Sequence, residues 1–191
     1  MLSPEEVSRL INAAGTLFRR TLLMALYGTG MHRSELAHLK VGDIDSQRMI
    51  IRVVAGKRGK DRDLPLSPAL LETLREYWRW RKPKLYLFPT RTRRVQSEES
   101  ISDKTVWIAC SEAARRTGIH KRVTPQTLRH SWATHLFGSG HRLAHHPSSA
   151  WTRRSGDHCS VLALVATAFA DGHQSAGHAH SVQQRESPST L

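Results

Sequence analysis

Two segments of the chain combine arginine, histidine and small polar residues in patterns suited to binding a phosphate diester. The upstream segment comprises residues 27–36, the downstream segment comprises residues 124–136, and Lys57 lies between them in a glycine-containing basic turn. An arginine can bind two phosphate oxygens at once, whereas a lysine is a point charge that can also protonate a leaving oxygen. The candidate residues of the two segments are His32, Arg33, Glu35, Gln126, Arg129 and His130.

Helix and strand signals indicate which elements must position these residues. Ser3-Pro4 followed by glutamates predicts a helix start, and Thr124-Pro125 starts the helix that carries Arg129. Periodicity and glycine positions predict further helices over residues 16–26, 34–39, 67–80 and 103–117. The β-rich run 50–54 and the extended run 63–66 predict a hairpin with a basic tip at residues 56–61.

Composition and charge indicate a single domain that binds a polyanion. The chain has 191 residues, 39% of them hydrophobic, and a formal net charge of +13. Nucleic acid is therefore the first expected partner, the alternative being a basic protein kept soluble by its charge. Two cysteines fit a reducing cytosol, the N-terminus has no signal pattern, and the apolar run 161–170 is too short to span a membrane. The sequence predicts a soluble, cytoplasmic protein with no membrane partner.

Together the two segments and the basic turn resemble the tyrosine recombinase, or phage integrase, family. Members of that family cut and rejoin DNA through a phosphotyrosine bond. The resemblance implies an α+β fold: a mainly helical catalytic domain with a small antiparallel sheet. It covers residues 2–140, so that residues 1–140 form the predicted domain and the family's N-terminal core-binding domain is expected to be absent.

The resemblance assigns roles residue by residue and shows two substitutions. Lys57 occupies the hairpin-lysine position, Arg129 the second-arginine position, and Glu35 a supporting position. His32 stands where the family has its first arginine, with Arg33 one residue later and turned by about 100° on a helix. Gln126 stands where the family has a histidine, and an amide cannot shuttle a proton. The predicted DNA-binding residues are Arg33, Lys57, Arg58, Lys60, Arg62, Arg129 and His130.

The nucleophile that the family requires is missing, because Tyr27, Tyr77 and Tyr86 all precede the downstream segment. After residue 140 the family pattern stops. Codons read one base later permit that pattern: the Trp151–Thr152 junction must give glycine, the next junction permits histidine, and the junction after Val161 permits tyrosine. We therefore infer a frameshift near residue 140.

Residues 141–191 are thus predicted to be an out-of-frame tail that is disordered or non-native. The rival interpretation is a natural tail that binds metal, although the spacing of its ligands matches no common zinc pattern. Those ligands would be His145, His146, His158 and Cys159. We predict no metal and no cofactor.

The predicted function is that of a site-specific recombinase or integrase catalytic fragment that binds the DNA phosphate backbone but is catalytically defective. One alternative is a non-catalytic DNA-binding remnant that modulates active recombinases, with other recombinase subunits as partners. Another is a non-functional pseudogene product. The target site, the mobile element and the oligomeric state are not predicted.

Overall fold

The computed structural model describes residues 1–54, 61–90 and 99–138 of the chain. Within these ranges the protein is mainly helical with one small antiparallel sheet, as the sequence predicts. The helices are α1 (Pro4–Asn12), α2 (Leu17–Thr29), α3 (Arg33–Ala37), α4 (Pro68–Arg81), α5 (Asp103–Thr117) and α6 (Pro125–Gly138). The strands are β1 (Ile44–Asp45), β2 (Ile50–Val53) and β3 (Arg62–Pro65), and a 3₁₀ turn spans Val41–Asp43.

The helix starts follow the capping signals in the sequence. At α1 the Ser3 hydroxyl accepts from the Glu6 backbone N–H at 3.3 Å, and the Glu6 carboxylate accepts from the Ser3 N–H at 2.7 Å. This reciprocal pair satisfies two N–H groups that a helix start otherwise leaves unpaired. At α4 the Ser67 hydroxyl accepts from the Leu70 N–H at 3.1 Å. Both predicted starts are confirmed.

The sheet has the order β1-β2-β3, and both strand pairs are antiparallel. In the β2–β3 hairpin Val53 pairs with Arg62 and Ile50 with Pro65. This confirms the predicted hairpin strands, while of the predicted tip, residues 56–61, only Asp61 lies within the described ranges. Strand β1 was not predicted, since two residues are too few to show an alternating pattern.

Helix α2 runs through the centre of the domain and contacts the other five helices. Every residue from Thr21 to Tyr27 is buried, so that this part of the helix is covered on all sides. A helix of this kind must be surrounded by other elements. It ends at Thr29 rather than before Gly28. The predicted end was therefore too early, and Gly30 is the residue that closes the helix.

Helix α6 is held against the N-terminal residues of the chain as well as against α2. The Leu2 backbone N–H donates to the Ser131 hydroxyl at 3.0 Å, and both residues are buried.

In the described part of the chain, no helix is long and apolar enough to cross a membrane. The predicted disorder of residues 141–191 falls outside the described residues.

Candidate phosphate-binding site

The second-arginine position lies directly against the end of α2. The Arg129 guanidinium, from the first turns of α6, donates to the carbonyl oxygen of Gly30. Gly30 closes α2 in a left-handed conformation, with φ of 61°. The Trp132 ring, one turn beyond Arg129, packs over the same glycine. The fold therefore brings the downstream segment into contact with the upstream segment, 99 residues earlier in the chain.

The first-arginine position lies two residues beyond that contact. His32 is the residue that precedes α3, and its backbone is extended (φ −71°, ψ 149°). The His32 backbone N–H donates to the Glu35 carboxylate at 2.8 Å. This bond uses only the main chain of residue 32. The backbone at the first-arginine position is thus fixed by Glu35 whichever side chain residue 32 carries.

Glu35 also binds the hairpin through Arg62. The two guanidinium nitrogens of Arg62 donate to the two carboxylate oxygens of Glu35, at 2.9 and 2.6 Å. Only 8% of the Glu35 side chain is exposed. A carboxylate this buried needs paired donors, and the planar guanidinium supplies two in matching geometry. Sequence reasoning placed Arg62 among the DNA-binding residues, whereas the structure places its guanidinium on a protein carboxylate.

Arg33 lies in a different direction from Arg129. Its Nε is 3.3 Å from a carboxylate oxygen of Asp103, at the start of α5. Half of the Arg33 side chain remains exposed. An exposed pair of this kind contributes little to stability, so that a phosphate could compete for the guanidinium. The Arg33 side chain nevertheless lies beside α5, whereas the Arg129 guanidinium lies beside Gly30.

Gln126 and His130 form a pair on the exposed face of α6, one helical turn apart. The Gln126 amide nitrogen lies 3.2 Å from His130 Nε2. The amide N–H can donate to the ring nitrogen when that nitrogen is unprotonated. The pair offers N–H donors to an anion at the helix surface.

The three tyrosines all precede α6 in the chain, and two of them are core residues. Tyr27 and Tyr77 are buried, and burial raises the pKa of each phenol to about 12. The Tyr27 hydroxyl is hydrogen-bonded to His135 Nδ1 at 2.8 Å. The Tyr86 ring lies 6.3 Å from that of His38. At neutral pH both buried phenols are therefore protonated and packed in the core.

Three predicted DNA-binding residues, Lys57, Arg58 and Lys60, lie outside the described residues, as do the four metal-ligand candidates of the tail. Sequence reasoning missed two features of the site. It did not find the Arg62–Glu35 ion pair, which joins residues 27 positions apart. It also missed the support of α6 by Leu2. Neither contact leaves a local pattern, although a glutamate and an arginine that flank a predicted hairpin were the available signal.

The mainly helical fold with its small antiparallel sheet, and the approach of the second-arginine position to the segment that carries the first, are those of a tyrosine recombinase catalytic domain. The family model described as Phage integrase family matches residues 1–145. The chain belongs to that family.

Individual relatives agree with this assignment. The chain is 42% identical over 140 residues to the provisionally named integrase/recombinase y4qK of Sinorhizobium fredii, covering 73% of this chain and 44% of y4qK. The crystal structure of XerA recombinase matches with a TM-score of 0.64 and 32% identity, over 73% of this chain and 50% of XerA. A structure of XerH site-specific recombinase bound to its difH substrate shares the fold, with a TM-score of 0.60, 21% identity and coverage of 73% and 42%. The chain spans about half the length of the curated relatives that it matches.

Proposed function

We propose that this chain is a DNA-binding fragment of a site-specific tyrosine recombinase that does not cleave DNA. The observation that carries the proposal is the contact of Arg129 with Gly30, two residues before the first-arginine position. This contact supports a phosphate site built from both segments, because it brings Arg129 against the segment that carries residue 32. The tyrosine that would attack the phosphate has no counterpart after Tyr86.

The DNA-binding part of the proposal is supported by charge. The net charge of +13 attracts a polyanion, and Arg129 and His130 lie on the same helix at the candidate site. Phosphate contacts of this type give affinity without sequence discrimination. We expect dissociation constants of roughly 10⁻⁴ to 10⁻⁶ M at physiological salt, the range of non-specific binding.

The catalytic defect is supported by three substitutions or losses. His32 replaces the arginine that would bind two non-bridging oxygens, and these oxygens gather charge in the transition state. Gln126 replaces the proton-transferring histidine. Burial in the core keeps Tyr27 and Tyr77 from taking the place of the missing nucleophile, because a nucleophile must reach the phosphate.

The frameshift remains part of the proposal. The family match ends at residue 145, close to residue 140, where the shifted reading begins to restore the family pattern. The nucleotide sequence of the gene tests this directly. A single-base slip that yields the glycine-histidine pair and a tyrosine at the Val161 position supports the frameshift. Codons that spell neither contradict it.

The binding proposal is tested by fluorescence anisotropy of the full chain with a labelled duplex over a range of salt concentrations. The affinity should fall steeply as salt rises, and Arg129→Gln should reduce the slope of log K against log [salt] by about 0.9, the value for one lost phosphate contact. The matched control is Arg75→Gln, which removes an exposed arginine paired with Glu72 on α4 and should leave the slope unchanged. An affinity that is indifferent to salt would contradict a phosphate-dominated mode.

A further inference from the structure

Arg62 is a predicted DNA-binding residue whose guanidinium is bound to a protein carboxylate. It is the first residue of β3, paired across the ladder with Val53, and follows directly from the hairpin tip. About a third of its side chain is exposed, against 8% for its partner Glu35. Both nitrogens at the end of its guanidinium donate to that carboxylate. The forked edge that would bind a phosphate is therefore occupied by the protein itself.

Glu35 extends this contact to the first-arginine position. The oxygen that accepts from Arg62 at 2.6 Å also accepts from the His32 backbone N–H at 2.8 Å. The buried carboxylate of Glu35, on helix α3, thus binds both strand β3 and the residue that precedes α3. Without Arg62 the carboxylate would keep its bond to the His32 N–H and lose the charge of the guanidinium, a change that is unfavourable in a buried position.

We propose that Arg62 is a positioning residue of the phosphate site and not a DNA-binding residue. Through its ion pair with Glu35, Arg62 fixes the position of the β2–β3 hairpin relative to residue 32. Strand β3, which follows the basic tip, is fixed with it. The inference rests on the proposed DNA-binding function and deepens it. Its consequence is that Arg62 governs affinity through geometry, with no phosphate contact of its own.

The same hairpin supplies a matched control. Arg52 and Asp63 form a cross-strand pair of the same charges in the same ladder, with Arg52 Nε 3.7 Å from the carboxylate. The two side chains are 57% and 45% exposed. A solvated pair at that separation contributes little, so that Arg52→Gln removes one positive charge from the hairpin without disturbing the site.

The test is salt-dependent anisotropy with four variants of the full chain. Arg62→Gln should weaken DNA binding by roughly 2- to 30-fold and leave the salt slope unchanged, because no phosphate contact is lost. Glu35→Gln should also weaken binding, although removing a negative charge would strengthen it if charge alone acted. The double variant should bind DNA no more weakly than the single variant with the larger loss of affinity, since both substitutions break the same ion pair. Arg52→Gln should stay near the wild-type affinity.

Two results would overturn the proposal: a salt slope reduced by about 0.9 in Arg62→Gln, or tighter binding in Glu35→Gln. A fifth variant, Arg62→Lys, separates the two roles, because it keeps the charge and loses the fork. A positioning role predicts an affinity loss in Arg62→Lys similar to that of Arg62→Gln, whereas a phosphate contact predicts nearly wild-type binding.

An NMR measurement separates this proposal from the proposed function. The amide proton of His32 should shift in Arg62→Gln and stay in place in Arg52→Gln, whether or not DNA is bound. A wild-type chain that binds no DNA would refute the proposed function alone. An unchanged His32 amide in Arg62→Gln would refute the connection through Glu35.

Discussion

Gly30→Ala should destabilise the domain more than Gly118→Ala does. Gly30 and Gly118 both close helices in the described residues. Gly30 has φ of 61°, a conformation that costs an L side chain roughly 1–2 kcal/mol. A Cβ atom at Gly30 would also lie 2.6 Å from Cδ2 and Cζ3 of Trp132, inside van der Waals contact. Overpacking of this kind costs roughly 1–3 kcal/mol. Gly30→Ala should therefore lower the free energy of unfolding by about 2–5 kcal/mol.

Gly118 is the matched control for this substitution. It ends α5 with φ of 64°, yet no atom lies within 4 Å of the position its Cβ would take. Gly118→Ala should thus show only the conformational cost of about 1–2 kcal/mol. Urea unfolding followed by circular dichroism at 222 nm measures both variants. Equal losses in the two variants would refute the packing of Trp132 on Gly30.

A third variant isolates the ring. In a Trp132→Leu background, Gly30→Ala should lose only the conformational cost, because the overlapping ring atoms are gone. The Gly30→Ala chain should also bind DNA more weakly, since the Arg129 guanidinium is anchored on the carbonyl of the same residue. Unaltered DNA affinity in a folded Gly30→Ala variant would show that this anchor does not shape the site.

The remaining predictions concern the core and the tail. Tyr27→Phe should cost about 1 kcal/mol in urea unfolding, because it removes the hydrogen bond to His135 and leaves the ring buried. Burial lowers the pKa of His135 below its ordinary 6.5, so that the unfolded chain binds the proton more readily and stability should fall as the pH drops below 6.5. His135→Gln should flatten this slope just below pH 6.5, above the range in which carboxylates titrate, and a slope that persists there would exclude His135 as its cause. Limited proteolysis should cut first beyond residue 141, whereas a frame-restored chain should resist there; equal resistance of the tail as written would contradict the frameshift.

Much of the fold could be predicted because its signals are local. The bounds of α5 follow from the residues that flank it, with Gly118 as its end. Strand β2 follows from its β-branched residues. The end of α2 was misjudged because Gly28 and Gly30 look alike in sequence. Gly28 lies inside the helix, and a Cβ atom added there would make ordinary contact with Leu70 at 3.6 Å. Of these two glycines, only Gly30 adopts the left-handed conformation.

The candidate site was predictable by residue type more than by contact. The family pattern identified Arg129 and the substituted positions His32 and Gln126 without any structure. The family pattern could not show that the Arg62 guanidinium is bound to Glu35. A bidentate pair between distant residues depends on how the hairpin packs on α3. Both a phosphate contact and a protein ion pair need an arginine. Only the position of the nearest buried carboxylate distinguishes them.

The measurement that tests the central claim most directly is covalent capture of DNA. The full chain is incubated with a pool of nicked duplexes randomised around the nick, and any protein–DNA adduct is isolated under denaturing conditions. A frame-restored chain carrying His32→Arg and Gln126→His serves as the positive arm and should form an adduct through the tyrosine at the Val161 position. The chain as written should form none. An adduct mapped to any residue of the chain as written would contradict the account.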